Sequence, residues 1–193
     1  MNTYLSTSIY YSTETYNYAD LDAMGFDDRF RSACVTGVWI FYDYVYYEGN
    51  SWYAWGVNDN CFNMDDSIAG KASSVRFGGI GEGMDRNAIS VYGKPWFAGL
   101  TEVYIDDAYG VFQYKQGSLI VTGCEPWTLE DGSAEKCACV YPSDTSNCYP
   151  GMYPNLDLGF NYYRLKKGCS CRTKLYPEPA QIQTQNGAIS WKI

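Results

Sequence analysis

One pattern occurs twice in this chain, and duplication of a unit commits a chain to a repeated architecture. Ser32-Ala33-Cys34-Val35-Thr36-Gly37 is followed by Trp39, and Ser118-Leu119-Ile120-Val121-Thr122-Gly123 is followed by Trp127. A shorter echo lies inside the larger one. Tyr42, Tyr47 and Gly49 are spaced as aromatic, four residues, aromatic, one residue, glycine, and Tyr92, Phe97 and Gly99 repeat that spacing. Two levels of repetition predict two domains, each subdivided. Between them Phe77-Gly78-Gly79-Ile80-Gly81-Glu82-Gly83 reads as a connector, because glycines this dense cost backbone entropy and offer no side chain to pack. The boundary is expected at residues 80–87, giving domains over 1–80 and 86–170 and a tail over 171–193. These glycines lack the spacing of a dinucleotide fingerprint and the Lys-Ser/Thr of a phosphate loop.

The aromatic content of 18%, with 20 tyrosines, favours strands, where large rings pack on a pleated surface. Short strand-like runs at residues 38–42, 51–55, 73–77, 88–92, 101–105 and 118–121 are separated by turn residues, and no segment carries a sustained helical period. Helix is expected only as a single turn at 18–24 or 108–112. In the tail, residues 181–185 and 188–193 flank Asn186-Gly187, a strong hairpin signal because both residues tolerate the positive φ of a type I′ turn. That hairpin either packs on the second domain or adds to the sheet edge of a neighbouring chain. The chain is therefore expected to be all-β.

Composition excludes several functions. There is no histidine, so Ser-His-Asp and Cys-His catalysis and histidine-ligated metals are absent. The 22 acidic residues against 14 Lys and Arg leave a net charge of −8, which repels phosphate backbones, so no nucleic-acid partner is expected. No run approaches the roughly 18 apolar residues of a membrane span. The cysteines number eight, an even set that favours disulfides, secretion and a leader removed before this numbering; a cytoplasmic location is the alternative.

Trp39-Ile40-Phe41-Tyr42, the aromatic spacing ending at Gly49, and Ser73-Ser74-Val75-Arg76 together resemble one Greek-key motif of the βγ-crystallin family. Ile89-Ser90-Val91-Tyr92 with Phe97 and Gly99, followed by Gly117-Ser118-Leu119-Ile120-Val121-Thr122-Gly123 and Trp127, resembles the third motif running into the fourth. Gly25-Phe26-Asp27-Asp28-Arg29-Phe30-Arg31-Ser32 is similar to the close of the first. The resemblance covers residues 1–168 and implies two Greek-key β-sandwich domains with a C-terminal hairpin tail. Motif one has Tyr11 and Tyr16 but Tyr18 where glycine belongs. Motif four has Glu130 and Glu135 at the aromatic positions and Cys137 at the glycine position, so distorted hairpins are expected in both. Where the pattern is intact, the rings fold over a hairpin whose glycine takes a positive φ, and a later serine bonds back to the turn. Tyr42, Tyr47, Gly49, Tyr92, Phe97, Gly99, Ser32, Ser74 and Ser118 are accordingly structural.

The resemblance also implies candidate calcium ligands, since hard oxygen donors suit that ion. Asp27 and Asp28 fill the first two positions of one half-site, but Arg31 stands where a hydroxyl should coordinate. Motif two keeps Ser73 and Ser74 but has Ala69 and Gly70 at the acidic positions; motif three reads Gln113, Tyr114, Gly117 and Ser118. These are incomplete sites, and apart from calcium no cofactor is expected of them. Asp65-Asp66 and Asp106-Asp107 read as turn residues.

Cys34 and Cys61 lie in the first half, and Cys124, Cys137, Cys139, Cys148, Cys169 and Cys171 crowd the second. Cys137/Cys139 and Cys169/Cys171 each present two side chains to one face of a strand. They suit bridges that would staple motif four, with a four-thiolate zinc site as the alternative. Connectivity is open. Glu130, Asp131 and Glu135 are close acidic residues of the kind that hydrolyse glycosides without histidine, but solvated loop positions account for them as well. The expected function is a non-enzymatic structural protein, extracellular and self-associating in a matrix, filament, coat or store. A secreted binding or defence module, such as a protease inhibitor or toxin-like protein, and a weak calcium-binding protein are the alternatives.

Overall fold

A computed structural model describes residues 17–80, 84–111, 116–131, 133–157, 159 and 162–177. The C-terminal hairpin around Asn186-Gly187, Tyr11 and Tyr16 of motif one, and Gln113 and Tyr114 lie outside these residues. The chain divides into two compact units between Gly78 and Gly79, just ahead of the expected boundary. Among the described residues every regular element is a strand except two 3₁₀ turns, Asp22–Met24 and Val45–Tyr47. No helix there is long and apolar enough to cross a membrane.

The first unit contains β1 (Asn17–Tyr18), β2 (Ser32–Tyr42), β3 (Ser51–Asn63) and β4 (Ser74–Gly78), hydrogen-bonded antiparallel in the order β1-β4-β2-β3. Both expected strands in β2 and β3 are longer than their apolar runs. Their pairing continues from Tyr42 opposite Ser51 to Ser32 opposite Asn63, through an irregularity between Val35 and Gly37. Gly56 lies at that irregularity; a Cβ there would stand only 2.7 Å from the Val35 carbonyl oxygen. Trp39, Phe41, Trp52, Ala54 and Val75 build the core with Leu21, Met64, Ile68 and Ala72 from the connecting segments.

The second unit holds two sheets. Its strands are β5 (Ala88–Tyr92), β6 (Thr101–Tyr104), β7 (Ala108–Val111), β8 (Gln116–Thr122), β9 (Trp127–Asp131), β10 (Ser133–Val140), β11 (Gly151–Asp157), β12 (Tyr162–Lys167) and β13 (Lys174–Leu175). One sheet runs β11-β8-β5-β6 and the other β13-β10-β9-β12-β7. Each takes its outlying strand from the other half of the unit: β7 leaves the first half to pair with β12, and β11 leaves the second to pair with β8. In the first unit β1 likewise pairs with β4 from an earlier part of the chain. The arrangement is a β-sandwich. Ile89, Val91, Leu119 and Val121 supply one part of its core, and Trp127, Leu129, Val140 and Leu165 the other.

Three expectations need correction. Of residues 108–112, read as a possible helical turn, Ala108–Val111 form strand β7 instead. Gly110 lies opposite Tyr163, and a Cβ at that position would run into the Tyr163 ring, so cross-strand packing overrides local preference. The tail does not begin at residue 171, because β13 adds a parallel strand to β10 and keeps residues 171–177 in the second unit. Nor does the second unit start at 86: Gly79 donates its N–H to Ser90 Oγ at 3.0 Å within it.

Candidate functional site

The repeated aromatic spacing produces the same local structure in both units. Tyr42 ends β2 and Tyr92 ends β5, each fully buried. The chain then turns over through two consecutive non-glycine residues in the left-handed region, Tyr46 and Tyr47 at φ 59° and 64°, and Trp96 and Phe97 at φ 60° and 59°. Gly49 and Gly99 follow at φ 82° and 78°. At Gly49 a side chain would also collide with the carboxylate of Asp43, which accepts the Asn50 N–H at 2.7 Å and closes the turn. The turn folds the second ring edge-on against the first, with centroids 5.7 Å apart for Tyr42 and Tyr47 and 5.5 Å for Tyr92 and Phe97.

A serine from a later strand, Ser74 in β4 and Ser118 in β8, fastens each turn. Ser74 Oγ accepts the Tyr47 N–H at 3.0 Å and donates to the Tyr44 carbonyl at 2.6 Å. Ser118 Oγ accepts the Phe97 N–H at 2.8 Å and donates to the Lys94 carbonyl at 2.8 Å. Both serines are fully buried, so each hydroxyl replaces water for one donor and one acceptor that the left-handed turn leaves unpaired. Ser32 differs: it opens β2 opposite Asn63, and the rings of the hairpin it is expected to fasten, Tyr11 and Tyr16, are not described.

Arg76, not singled out in the sequence, distinguishes the first hairpin. It lies two residues beyond Ser74 on the same face of β4, where the second unit has Ile120. Its buried guanidinium donates from Nε to Tyr42 Oη at 3.0 Å and stands 4.8 Å from the Tyr47 ring centroid. Burial raises the Tyr47 phenol above its ordinary pKa, and the Arg76 charge opposes that shift. An arginine among the apolar residues of a short strand was the available signal.

Several of the calcium candidates have other commitments. The Ser74 hydroxyl is committed to the hairpin, and the Arg31 guanidinium packs beside Gly70, facing the place where motif two should offer an acidic residue. Asp28 adopts φ 53° and uses its N–H on the Ala72 carbonyl. Asp27 Oδ1 is buried without a hydrogen-bond partner, but one carboxylate does not make a site for an ion that takes six to eight oxygens. Among the described residues no group of three or more acidic or cysteine side chains is placed to hold a metal.

All eight cysteines are joined, as Cys34–Cys61, Cys124–Cys148, Cys137–Cys171 and Cys139–Cys169. The two Cys-x-Cys segments pair in antiparallel sense as a double bridge, which leaves no thiolate for zinc. Cys137 and Cys139 lie opposite Glu130 and Thr128 of β9. The linked segment crosses over Thr128, whose Oγ1 donates to the Gly168 carbonyl at 2.7 Å and accepts the Ser170 N–H at 3.0 Å. Four disulfides point to an oxidising, non-cytoplasmic environment.

Carboxylates in this region have structural partners. Glu130 meets Lys166 at 2.7 Å, and Asp131 lies 4.0 Å from Lys136, while the Glu135 side chain is outside the described set. Glu102 Oε2 accepts the hydroxyls of both Tyr104 and Tyr163, the latter at 2.9 Å. Burial, with the Tyr104 and Glu102 hydrogen bonds next, drives the Tyr163 phenol far above its usual range. Tyr153 Oη accepts the Tyr141 N–H at 2.7 Å and lies 2.9 Å from the carbonyls of Tyr141 and Leu175, tying together the ends of β10 and β13. These tyrosine contacts were not singled out from the sequence, because they depend on strand order rather than on local spacing.

No protein-family model matches the chain, and no curated protein matches it.

Proposed function

We propose that this chain is a βγ-crystallin-like structural protein, built from Greek-key sandwiches, non-enzymatic, extracellular, and self-associating in a matrix, filament, coat or dense store. The observation that carries the reading is the serine-fastened aromatic hairpin, formed twice with the same donors and acceptors. The exchange of outlying strands between the halves of the second unit supports the Greek-key assignment. Such devices spend buried hydrogen bonds and rings on holding a shape. The complete pairing of the cysteines supports an extracellular life.

Self-association is supported by what the surface presents. Tyr44, Tyr46, Tyr109, Tyr162 and Tyr176 are 62–86% exposed. Tyrosine rings give rigid, amphipathic contact area at low conformational cost. Sedimentation velocity over a concentration series tests this: mass growing with concentration is expected. A monomer at every concentration that inhibits a protease or kills cells would replace this reading with the secreted binding or defence module.

A further inference from the structure

We propose that Tyr141 and Tyr176 form an oxidative coupling site, in which the two rings join as an intramolecular dityrosine. Their placement follows from the β10–β13 pairing. Cys139 faces Lys174 and Val140 faces Leu175 in parallel register, so the next residues, Tyr141 and Tyr176, come side by side. The rings stack with centroids 5.1 Å apart and planes 22° from parallel. Tyr153 Oη holds the backbone beneath both, through Tyr141 and Leu175. Cys137–Cys171 and Cys139–Cys169 anchor the same two segments.

Access separates this pair from the two other tyrosine pairs in ring contact among the described residues. Tyr176 is 66% exposed and Tyr141 is half-buried, so a diffusing oxidant reaches the stack. In Tyr42–Tyr47 and Tyr104–Tyr163 the rings meet edge-on, and Tyr42 and Tyr163 are buried. Coupling needs hydrogen peroxide and a haem peroxidase as co-reactants. Each phenol loses one electron and one proton, and the two phenoxyl radicals form a carbon–carbon bond between the positions beside the hydroxyls. Loss of the two ring hydrogens to the hydroxyl oxygens restores aromaticity. The peroxide accepts the two electrons and two protons and leaves as two waters. The product ties β13 to β10 by a bond that thiol reductants do not cleave.

Held rings have an effective concentration of order millimolar or more, so at micromolar protein the intramolecular product is favoured roughly 10³-fold over chain-to-chain coupling. This distinguishes the proposal from self-association, because the expected product is a monomer. The experiment treats the disulfide-intact protein with peroxidase and hydrogen peroxide at micromolar concentration, then isolates the monomer for fluorescence and peptide mass spectrometry. The expected result is a monomer two hydrogens lighter, with dityrosine fluorescence and a linked peptide pair containing Tyr141 and Tyr176. Tyr176→Phe and Tyr141→Phe should each lose that product, while Tyr109→Phe retains it; non-reducing mass measurement verifies four bridges in every variant. Dityrosine found only between chains, only at other tyrosines, or not at all under conditions that couple free N-acetyltyrosine would overturn the proposal.

Discussion

The hairpin between β5 and β6 and the hairpin between β9 and β10 each join the first two strands of a four-strand set, yet they are held by different chemistry. The first folds back on itself: Trp96 and Phe97 enter the left-handed region, at a cost of order 1 kcal/mol or more each, offset by burial of the Phe97 ring and by the two hydrogen bonds of Ser118 Oγ, one accepted and one donated. The second stays in its sheet. Glu130 faces Cys137 in plain antiparallel register, with an irregularity between Ser133 and Cys137. Its outer side is held by the two bridges to Cys169 and Cys171. Where aromatic, aromatic and glycine occur at the right spacing, a noncovalent clamp forms; where glutamate and cysteine replace them, a covalent staple takes the corresponding place.

The largest effect should come from breaking the staple. In the chain-entropy description a bridge closing 34 residues stabilises by about 3.8 kcal/mol, and the second bridge, which closes only a small inner ring, adds about 2 kcal/mol. The two are therefore not additive. Removing either alone, by Cys137→Ala with Cys171→Ala or by Cys139→Ala with Cys169→Ala, should cost about 2 kcal/mol, and removing both about 6 kcal/mol. Urea unfolding of the three variants measures this. Equal, additive losses would mean that local packing around Thr128, rather than restriction of the unfolded chain, accounts for the stabilisation.

The same comparison shows why parts of this fold were legible in the sequence. The expected strands at residues 88–92 and 118–121 fall on β5 and β8, because alternating branched and aromatic residues there agree with burial in the sheet. The hairpins were legible for a sharper reason: Gly49 and Gly99 mark places where backbone shape, not side-chain chemistry, selects the residue. Strands β9 to β13 were not picked out. Their order depends on exchange between halves of the unit and on cysteine connectivity, neither of which leaves a local period. Ala108-Tyr109-Gly110-Val111 pointed toward a helical turn because only its distant partner, Tyr163, explains the glycine. Among the candidate site residues, Ser74 and Ser118 come together with their aromatic pairs, and the calcium positions are altered by Arg31 beside Gly70 and by the commitment of Ser74 to its hairpin.

The clamps themselves should give the next largest effect. Ser74→Ala and Ser118→Ala each strand a buried N–H and a buried carbonyl, for an expected loss of about 2 kcal/mol apiece. Near-equal losses in urea unfolding would show that the two hairpins are energetic as well as geometric equivalents. A markedly smaller loss for Ser74→Ala would assign the first turn to Arg76, which packs over Tyr47 and has no counterpart at Ile120.

Alkaline pH offers the gentlest way to separate the regions. Tyr163, beside the stapled hairpin's sheet, has its phenol pKa raised by burial and then by the Tyr104 and Glu102 hydrogen bonds; Tyr47, in the first clamp, is raised by burial but restrained by Arg76. The unfolded phenol titrates near 10. Below that pH both states keep the proton and the stabilisation is fully present. Above it the unfolded chain releases a proton that folded Tyr163 retains, so stability falls as pH rises, by at most about 1.4 kcal/mol per pH unit for one such group. Tyr163→Phe should therefore lower stability near neutral pH, by removing the bond to Glu102, yet flatten its decline above about pH 10. Tyr47→Phe should flatten it less, since Arg76 already favours the ionised form there. Urea midpoints across that range for the parent and both variants measure the slopes. Equal flattening by the two substitutions would mean that the buried cation in the first hairpin does not offset desolvation of its tyrosine, and that the two regions differ in fastening but not in electrostatics.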